Sequence, residues 1–371
     1  MSIISPLHQN YDVIVVGAGP AGALCAALTA KAGLKTLILE KRSLPRQKIC
    51  GGFISKRSLA LLPADFSTPP QWSEPINEIA VCMRNKIYSY ISGEALGLMV
   101  KRESFDQQLA AYAVECGAEL IEDSPVIDIR ETAGEADYIY HYMVKAGLPE
   151  QVPFIGRFLV GADGANGTTA YIAGLRGTKT INTGWGISEI INKDPGDNGR
   201  AILKFYPLPL LGGMAWSFET SHWVNRGLGG LVSPKTLRNK YTKLFHQSES
   251  VLKAWPIPFM GPYRKAAKNN LVLIGDAAGL AEPFSGEGLY NSFSSACYAA
   301  SAIIEADDTG SIAGPIYNRY FLSHFRSGFL PSIAGTFILH GRSLISPSFL
   351  PKTIATLMDN KLWFNRSCKL F

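Results

Sequence analysis

The stretch from Tyr11 to Glu40 limits what this chain can fold into more than any other, because it reads as strand, glycine turn, helix and second strand. Tyr11 to Val16 (YDVIVV) is short, β-branched and mostly apolar, the pattern of a strand buried on both faces of a parallel sheet. It runs into Gly17-Ala18-Gly19-Pro20-Ala21-Gly22, a G-x-G-x-x-G. In this spacing Gly17 permits the tight turn, Gly19 lets backbone approach a pyrophosphate, and Gly22 lets the next helix lie close on the sheet. The phosphates would sit at the helix N-terminus, where unpaired N–H groups and the dipole favour negative charge. Ala21 to Lys31 is mostly Ala and Leu, with Gly33 placed to end the helix. Lys35 to Glu40 (KTLILE) is the second strand, ending in a carboxylate that can accept both ribose hydroxyls of an adenosine.

Two later strands end in the same way. Phe158 to Val160 runs into Gly161-Ala162-Asp163-Gly164, and Leu271 to Ile274 into Gly275-Asp276-Ala277-Ala278-Gly279. Ligands of open α/β sheets bind outside the carboxyl ends of the strands, so the three turns are expected to converge on one extended cofactor. Between them, Ser104 is a plausible N-cap for a helix with Phe105, Leu109, Tyr112 and Ala113 at helical spacing, closed by Gly117. Val126 to Arg130 and Tyr138 to Val144 read as a small antiparallel meander. From Gly184 to Gly230 four strand-like runs, aromatic on one side, suggest an antiparallel sheet forming a substrate wall. Ser233-Pro234 opens a helix to about Gln247, and a helix rich in small residues runs from Gly286 to about Glu305.

The expected fold class is therefore α/β: a Rossmann-like domain with a parallel sheet and β-meander, an antiparallel-sheet substrate domain, and a helical C-terminal segment. The boundaries are 1–75, 100–180 and 263–325 for the first, 76–99 and 181–262 for the second, and 326–371 for the third.

Composition removes other classes. An apolar fraction of 47% and a charged fraction of 18% describe a cored globular protein, and no 18-residue apolar run predicts a membrane span. Met1 to Asn10 is too polar for a signal peptide. The six cysteines are scattered without C-x-x-C, which suits a reducing, cytoplasmic compartment. The six histidines lie far apart, so no metal site is expected, and no G-x-S-x-G marks a serine hydrolase. The net charge of +6 gathers after Ile312, in Arg319, Arg326, Arg342, Lys352, Lys361, Arg366 and Lys369 against Asp359 alone. Interleaved with Phe329, Phe337, Trp363 and Phe371, these cations suit either peripheral contact with a membrane or partner, or a helical cap over the core. No nucleic-acid motif accompanies them.

In their order and spacing, these motifs resemble the flavin-dependent oxidoreductases of the p-hydroxybenzoate hydroxylase fold, and within it the geranylgeranyl reductase family. The resemblance covers about Tyr11 to Ile304. It includes Val100 to Asp106 (V-x-R-x-x-F-D), the Asp163 and Asp276 turns, and Pro283-Phe284-Ser285-Gly286-Glu287-Gly288. It implies FAD with its pyrophosphate at Gly17, Gly19, Pro20, Ala21 and Gly22, and Glu40 on the adenosine ribose, followed by Lys41 and Arg42. Arg102 would lie near the ribityl chain and pyrophosphate, Asp276 on the ribityl hydroxyls, with Asp163 and Gly275 on the converging turns. Pro283, Gly286, Glu287 and Gly288 would face the pyrimidine edge, where a helix N-terminus stabilises the anion of reduced flavin. Cys50 and Gly51, in Lys48-Ile49-Cys50-Gly51-Gly52, resemble the reductases' C-G-G beside the flavin.

Gly213 to Gly229 resembles the family's Y-x-W-x-F-P strand with its trailing V-N-x-G, except that Met214 replaces Tyr and Glu219 replaces Pro. Gly167 and Ala170 likewise stand where Ser and Arg are usual, and Asn291 is a hydroxylase-like feature. Met214 to Glu219 does not match the W-x-W-x-I-P of flavin halogenases. The expected activity is reduction of a C=C bond in an apolar isoprenoid or polyketide-like substrate by hydride from reduced flavin. Cys50 would be a proton donor or positioning group, or simply a small buried residue, and Trp216 and Phe218 would wall the pocket or pack as core aromatics. With one dinucleotide fingerprint, NADPH or NADH would visit transiently as reductant, or the electrons would come from another carrier. The alternatives are a monooxygenase oxidising an aromatic substrate through a flavin hydroperoxide, and a flavin-bound protein without net redox.

Overall fold

The computed structural model of the chain describes residues 9–69, 71–83, 86–133, 140–146, 153–175, 183–194, 201–208, 213–245, 252–258, 265–282, 287–325 and 352. Pro283, Gly286 and the expected C-terminal segment, apart from Lys352, lie outside these.

The first strand, Gln9–Val16, lies in the middle of an eight-stranded sheet. It pairs in parallel with Thr36–Leu39 on one side and Pro153–Gly161 on the other. Glu119–Ile121 and Leu271–Leu273 extend the parallel set outwards. Val13, Ile14, Val15, Leu37 and Ile38 are wholly buried, each worth about 1.5–3 kcal/mol on removal from water. Helix Pro20–Lys31 packs between the sheet and two further helices, Arg102–Glu115 and Leu289–Thr309. Its Ala23, Cys25, Ala26 and Ala27 are buried, and such small side chains let three elements close around one helix. Gly33 (φ 88°) follows the last turn in the left-handed region that glycine favours.

The meander is present and longer than expected: Val126–Ala133 and Tyr140–Ala146 pair antiparallel, and the latter pairs with the start of Pro153–Gly161. That last strand runs on into the parallel set. The helix expected to start at Ser104 instead starts at Arg102, with Lys101 in the extended cap position and no side chain capping it. Arg102 and Asp106, one turn apart at 2.9 Å, hold that first turn together in place of a hydroxyl cap.

A seven-stranded sheet runs in the order Ala254–Pro258, Thr183–Asn192, Trp223–Gly230, Met214–Glu219, Ile202–Pro207, Glu78–Met83, Lys86–Ile91. Alternation sends Met214, Trp216 and Phe218 to one face and Ala215, Ser217 and Glu219 to the other. Helix Pro234–Phe245 covers the second face with Leu237 and Tyr241. A third sheet of three short strands, Phe53–Ser55, Gly97–Val100 and Ser73–Ile76, packs Phe53 and Met99 toward the aromatic face. Among the described residues no helix is long and apolar enough to cross a membrane.

Candidate active site

The three glycine turns meet at the carboxyl edge of the parallel sheet. Backbone bonds hold that edge together: Gly17 N–H donates to Leu39 O at 2.8 Å, Ala162 N–H to Val16 O at 2.9 Å, and Ile274 N–H to Gly161 O at 3.0 Å. A Cβ on Gly17 would fall 2.6 Å from Ala162 O, and one on Gly22 only 2.0 Å from Gly17 O. One on Gly275 would stand 3.1 Å from the methyl carbon of Ala21. Side chains at Gly17 and Gly22 would therefore push the first two turns apart, which is why the sequence needs glycine there. Gly19 differs, because a Cβ there would meet nothing closer than the Arg46 guanidinium at 3.6 Å.

That combination suits a pyrophosphate. Helix Pro20–Lys31 begins at Gly19 with no side chain capping it and no acid in its first turn, so its dipole and free N–H groups face open space beside a guanidinium. Pro20 occupies the first helical position, where its missing N–H costs nothing. Glu40 is buried at the end of the second strand; one oxygen accepts Ala18 N–H at 2.8 Å and the other lies 3.4 Å from Arg46 Nε. Lys41 and Arg42 are exposed. Arg46 turns inward and is shared between Glu40 and Asp106, each at 3.4 Å. Within the basic run only its side-chain direction distinguishes it, and sequence does not reveal that.

From here a line of polar groups leads toward the aromatic sheet. Arg102 is buried and held by both oxygens of Asp106, at 2.9 and 3.2 Å. Burial opposes its charge, but Asp106, with Cys50 in hydrogen-bonding reach, outweighs burial and keeps it positive. The Cys50 sulfur also accepts Gly52 N–H at 3.4 Å. Lys48 lies 3.6 Å from Asp276 and 4.6 Å over the Trp255 ring. Asp276 stands at the third turn, close to Gly288, where helix Leu289–Thr309 begins.

The strip Cys50-Gly51-Gly52 lies against the aromatic face. Asn225 donates to Cys50 O at 2.8 Å while accepting from Trp216 Nε1 at 2.9 Å. A Cβ on Gly51 would fall 2.9 Å from the Phe218 ring. Gly52 (φ 80°) would collide with Val100 O at 2.7 Å if it carried one. Trp216 in turn lies across Gly227, whose Cβ would be 2.3 Å from the indole. In the sequence Asn225 is marked only by its place in a V-N-x-G; in the structure it ties strip to sheet.

Two expected residues take other positions. Asp163 turns one oxygen to Thr169, accepting its N–H and hydroxyl at 2.8 Å each, and so caps the short helix Thr169–Ile172. Its other oxygen is buried with no partner among the described residues. Gly167 is glycine because a Cβ there would overlap the Asp163 carboxylate. Glu287 accepts Ser55 and Ser58 hydroxyls and pairs with Arg57, so its side chain anchors the loop while the backbone beside Gly288 remains at the helix start.

FAD fits these residues: a glycine turn with no room for side chains at Gly17 and Gly22, an uncapped helix start beside Arg46, a buried carboxylate at the end of the second strand, and an Asp163 oxygen unpartnered among the described residues. Comparison with known proteins agrees. An FAD binding domain model matches residues 10–65. The chain is 27% identical over 348 residues to the digeranylgeranylglycerophospholipid reductase of Methanocaldococcus jannaschii, covering 86% of each protein. Its fold superposes with a TM-score of 0.79 on a geranylgeranyl bacteriochlorophyll reductase-like protein of Thermoplasma acidophilum, at 23% identity over 95% of this chain and 92% of that one. It also superposes with a TM-score of 0.64 on a variant of halogenase PltM in complex with FAD, at 16% identity over 89% and 75% of the chains. A cradle shaped for a dinucleotide, a matching FAD-binding domain and reductase relatives aligned over most of their length lead to one assignment: the chain is an FAD-dependent oxidoreductase, similar to the geranylgeranyl reductases.

Proposed function

We propose that this protein reduces C=C bonds in an apolar isoprenoid chain. The observation that carries the reading is the Cys50-Gly51-Gly52 strip, which has the Arg102 and Lys48 cations behind it and Trp216, Phe218 and Asn225 before it. When bound, reduced FAD supplies the hydride. Trp216 and Phe218, with Met214 and Phe205 in the same apolar cluster, would line a greasy wall and exclude water from the reacting carbons. Gly51, lacking a side chain, lets that wall approach the strip. Cys50 would hold at Sγ the proton required by the second alkene carbon, oriented by Gly52 N–H and Arg102. Met214, which replaces the family's Tyr, lies on this wall, so the departure bears on substrate choice. Glu219 points to the opposite face and pairs with Lys204 at 2.6 Å, so its replacement of Pro does not.

NADPH or NADH is the proposed electron donor, bound transiently. Contact of the basic C-terminal segment with lipid belongs to the same proposal, since an isoprenoid lipid resides in a bilayer. Liposome co-sedimentation, with and without residues from Phe329 onward, tests that contact. The activity is tested anaerobically: chemically reduced protein is mixed with a lipid carrying geranylgeranyl chains, and the product is analysed by mass spectrometry. Gain of two hydrogens per double bond supports the reading. A product formed only with O₂, carrying added oxygen on an aromatic ring, establishes the monooxygenase instead.

A further inference from the structure

Lys48 is the cation of the seam that the proposed chemistry leaves without a task. Its ammonium lies 3.6 Å from Asp276 Oδ2 and 4.6 Å from the centre of the Trp255 ring. Three pieces of chain meet there: the strip leading to Cys50, the turn Gly275–Ala278, and the edge strand Ala254–Pro258 of the aromatic sheet. The titratable groups facing it are Asp276 from the turn, Arg102 and Asp106 from the helix Arg102–Glu115, and the Cys50 thiol from its own strip. Asp106 is taken up by Arg102 at 2.9 Å and Arg46 at 3.4 Å. Asp276 is left with Lys48 as its counter-charge, and its carboxylate is partly open to the cleft.

A carboxylate held beside a flavin that becomes an anion on reduction opposes that reduction, unless a cation stands next to it. We propose that Lys48 is a positioning residue that fixes Asp276 and offsets its charge, and thereby raises the reduction potential of bound FAD. The inference uses the FAD cradle and is independent of which substrate is reduced. The surroundings agree: burial pushes the Lys48 ammonium below its usual range, and Arg102 adds to this, while Asp276 works to retain the proton. The charge therefore disappears at a pH where an exposed lysine would keep it.

The test is the two-electron midpoint potential of the FAD-loaded protein, followed by its visible spectrum during anaerobic reduction across a pH series. In Lys48→Met the reduced cofactor is expected to bind at least about tenfold more weakly relative to the oxidised one, a fall of about 30 mV for a two-electron couple. Lys48→Arg is expected to restore most of it. The wild-type potential should show an added pH dependence in the alkaline range that Lys48→Met lacks. If Lys48→Met does not fold or load FAD, Lys48→Gln and the double variant Lys48→Met/Asp276→Asn carry the test, and neutralising Asp276 should bring the potential back up. A wild-type potential in Lys48→Met or Lys48→Gln overturns the inference. So does a lowered potential that Asp276→Asn leaves unchanged.

Discussion

Replacing Gly22 by Ala sets two physical effects against each other. Within a helix, Ala is favoured over Gly by about 1 kcal/mol, so local propensity alone predicts a more stable protein. The structure predicts the reverse. The new methyl would stand 2.0 Å from Gly17 O and 3.0 Å from the Ala162 Cβ. Those neighbours are backbone and a short side chain, both fixed by strand bonds at Gly17 and Ala162, so the oxygen must retreat by about 1 Å. Overpacking of this kind costs about 1–3 kcal/mol and at times more. With rigid neighbours the upper end applies, giving a net loss of about 2 kcal/mol after the propensity gain is subtracted. Gly19→Ala is the control, because its methyl would meet only the flexible Arg46 tip at 3.6 Å. Chemical denaturation of the cofactor-free proteins, followed by tryptophan fluorescence, should show Gly22→Ala destabilised and Gly19→Ala near wild type. Titration with FAD should show both variants weakened, Gly19→Ala because its methyl occupies the approach of the pyrophosphate. A Gly22→Ala protein as stable as wild type, or a Gly19→Ala protein that loses stability but keeps its FAD affinity, would refute the reasoning.

Arg102→Ala leaves the fully buried Asp106 carboxylate with only the longer 3.4 Å contact to Arg46, so thermal or chemical unfolding should show a loss toward the lower end of that for a broken buried pair, about 3 kcal/mol. Asp106→Asn together with Arg102→Leu should recover part of it. His324 hydrogen-bonds to Tyr298, and burial pushes its pKa down to about 4. Between that value and the ordinary 6.5 the unfolded chain binds a proton that the native protein refuses. Stability should therefore rise with pH across this window, by about 3 kcal/mol in total, and His324→Gln should flatten the rise. Trp216→Ala removes an indole that fills the space over Gly227 and pairs with Asn225; the KM for a lipid substrate should rise at least about tenfold, or about 1.4 kcal/mol, with FAD affinity little changed.

Sequence revealed the parts of this site that backbone geometry enforces. Gly17 and Gly22 are legible because no other residue fits where strand, turn and helix touch, and Glu40 because a fixed strand length carries it to the sheet edge. Residues acting through side-chain direction were hidden. Lys41, Arg42, Arg46 and Lys48 read as one basic run, yet the first two reach solvent while Arg46 and Lys48 turn in to Glu40, Asp106 and Asp276. The helix at Arg102 starts before its expected Ser104 cap, because an ion pair one turn apart does what a hydroxyl was expected to do. Asp163 matches its motif, but the structure gives one of its oxygens to Thr169, a local competition that spacing does not show. Trp255 lay in a stretch with no motif, and only the sheet order brings it to Lys48.

The most direct measurement is a crystal structure of the protein purified with FAD. The account predicts electron density for one FAD per chain, with its ribose at Glu40, its pyrophosphate between Gly19 and Arg46, and its ring system between Asp276 and the Cys50–Trp216 seam. FAD bound elsewhere, or density that leaves any of the three strand-end turns untouched, would contradict it.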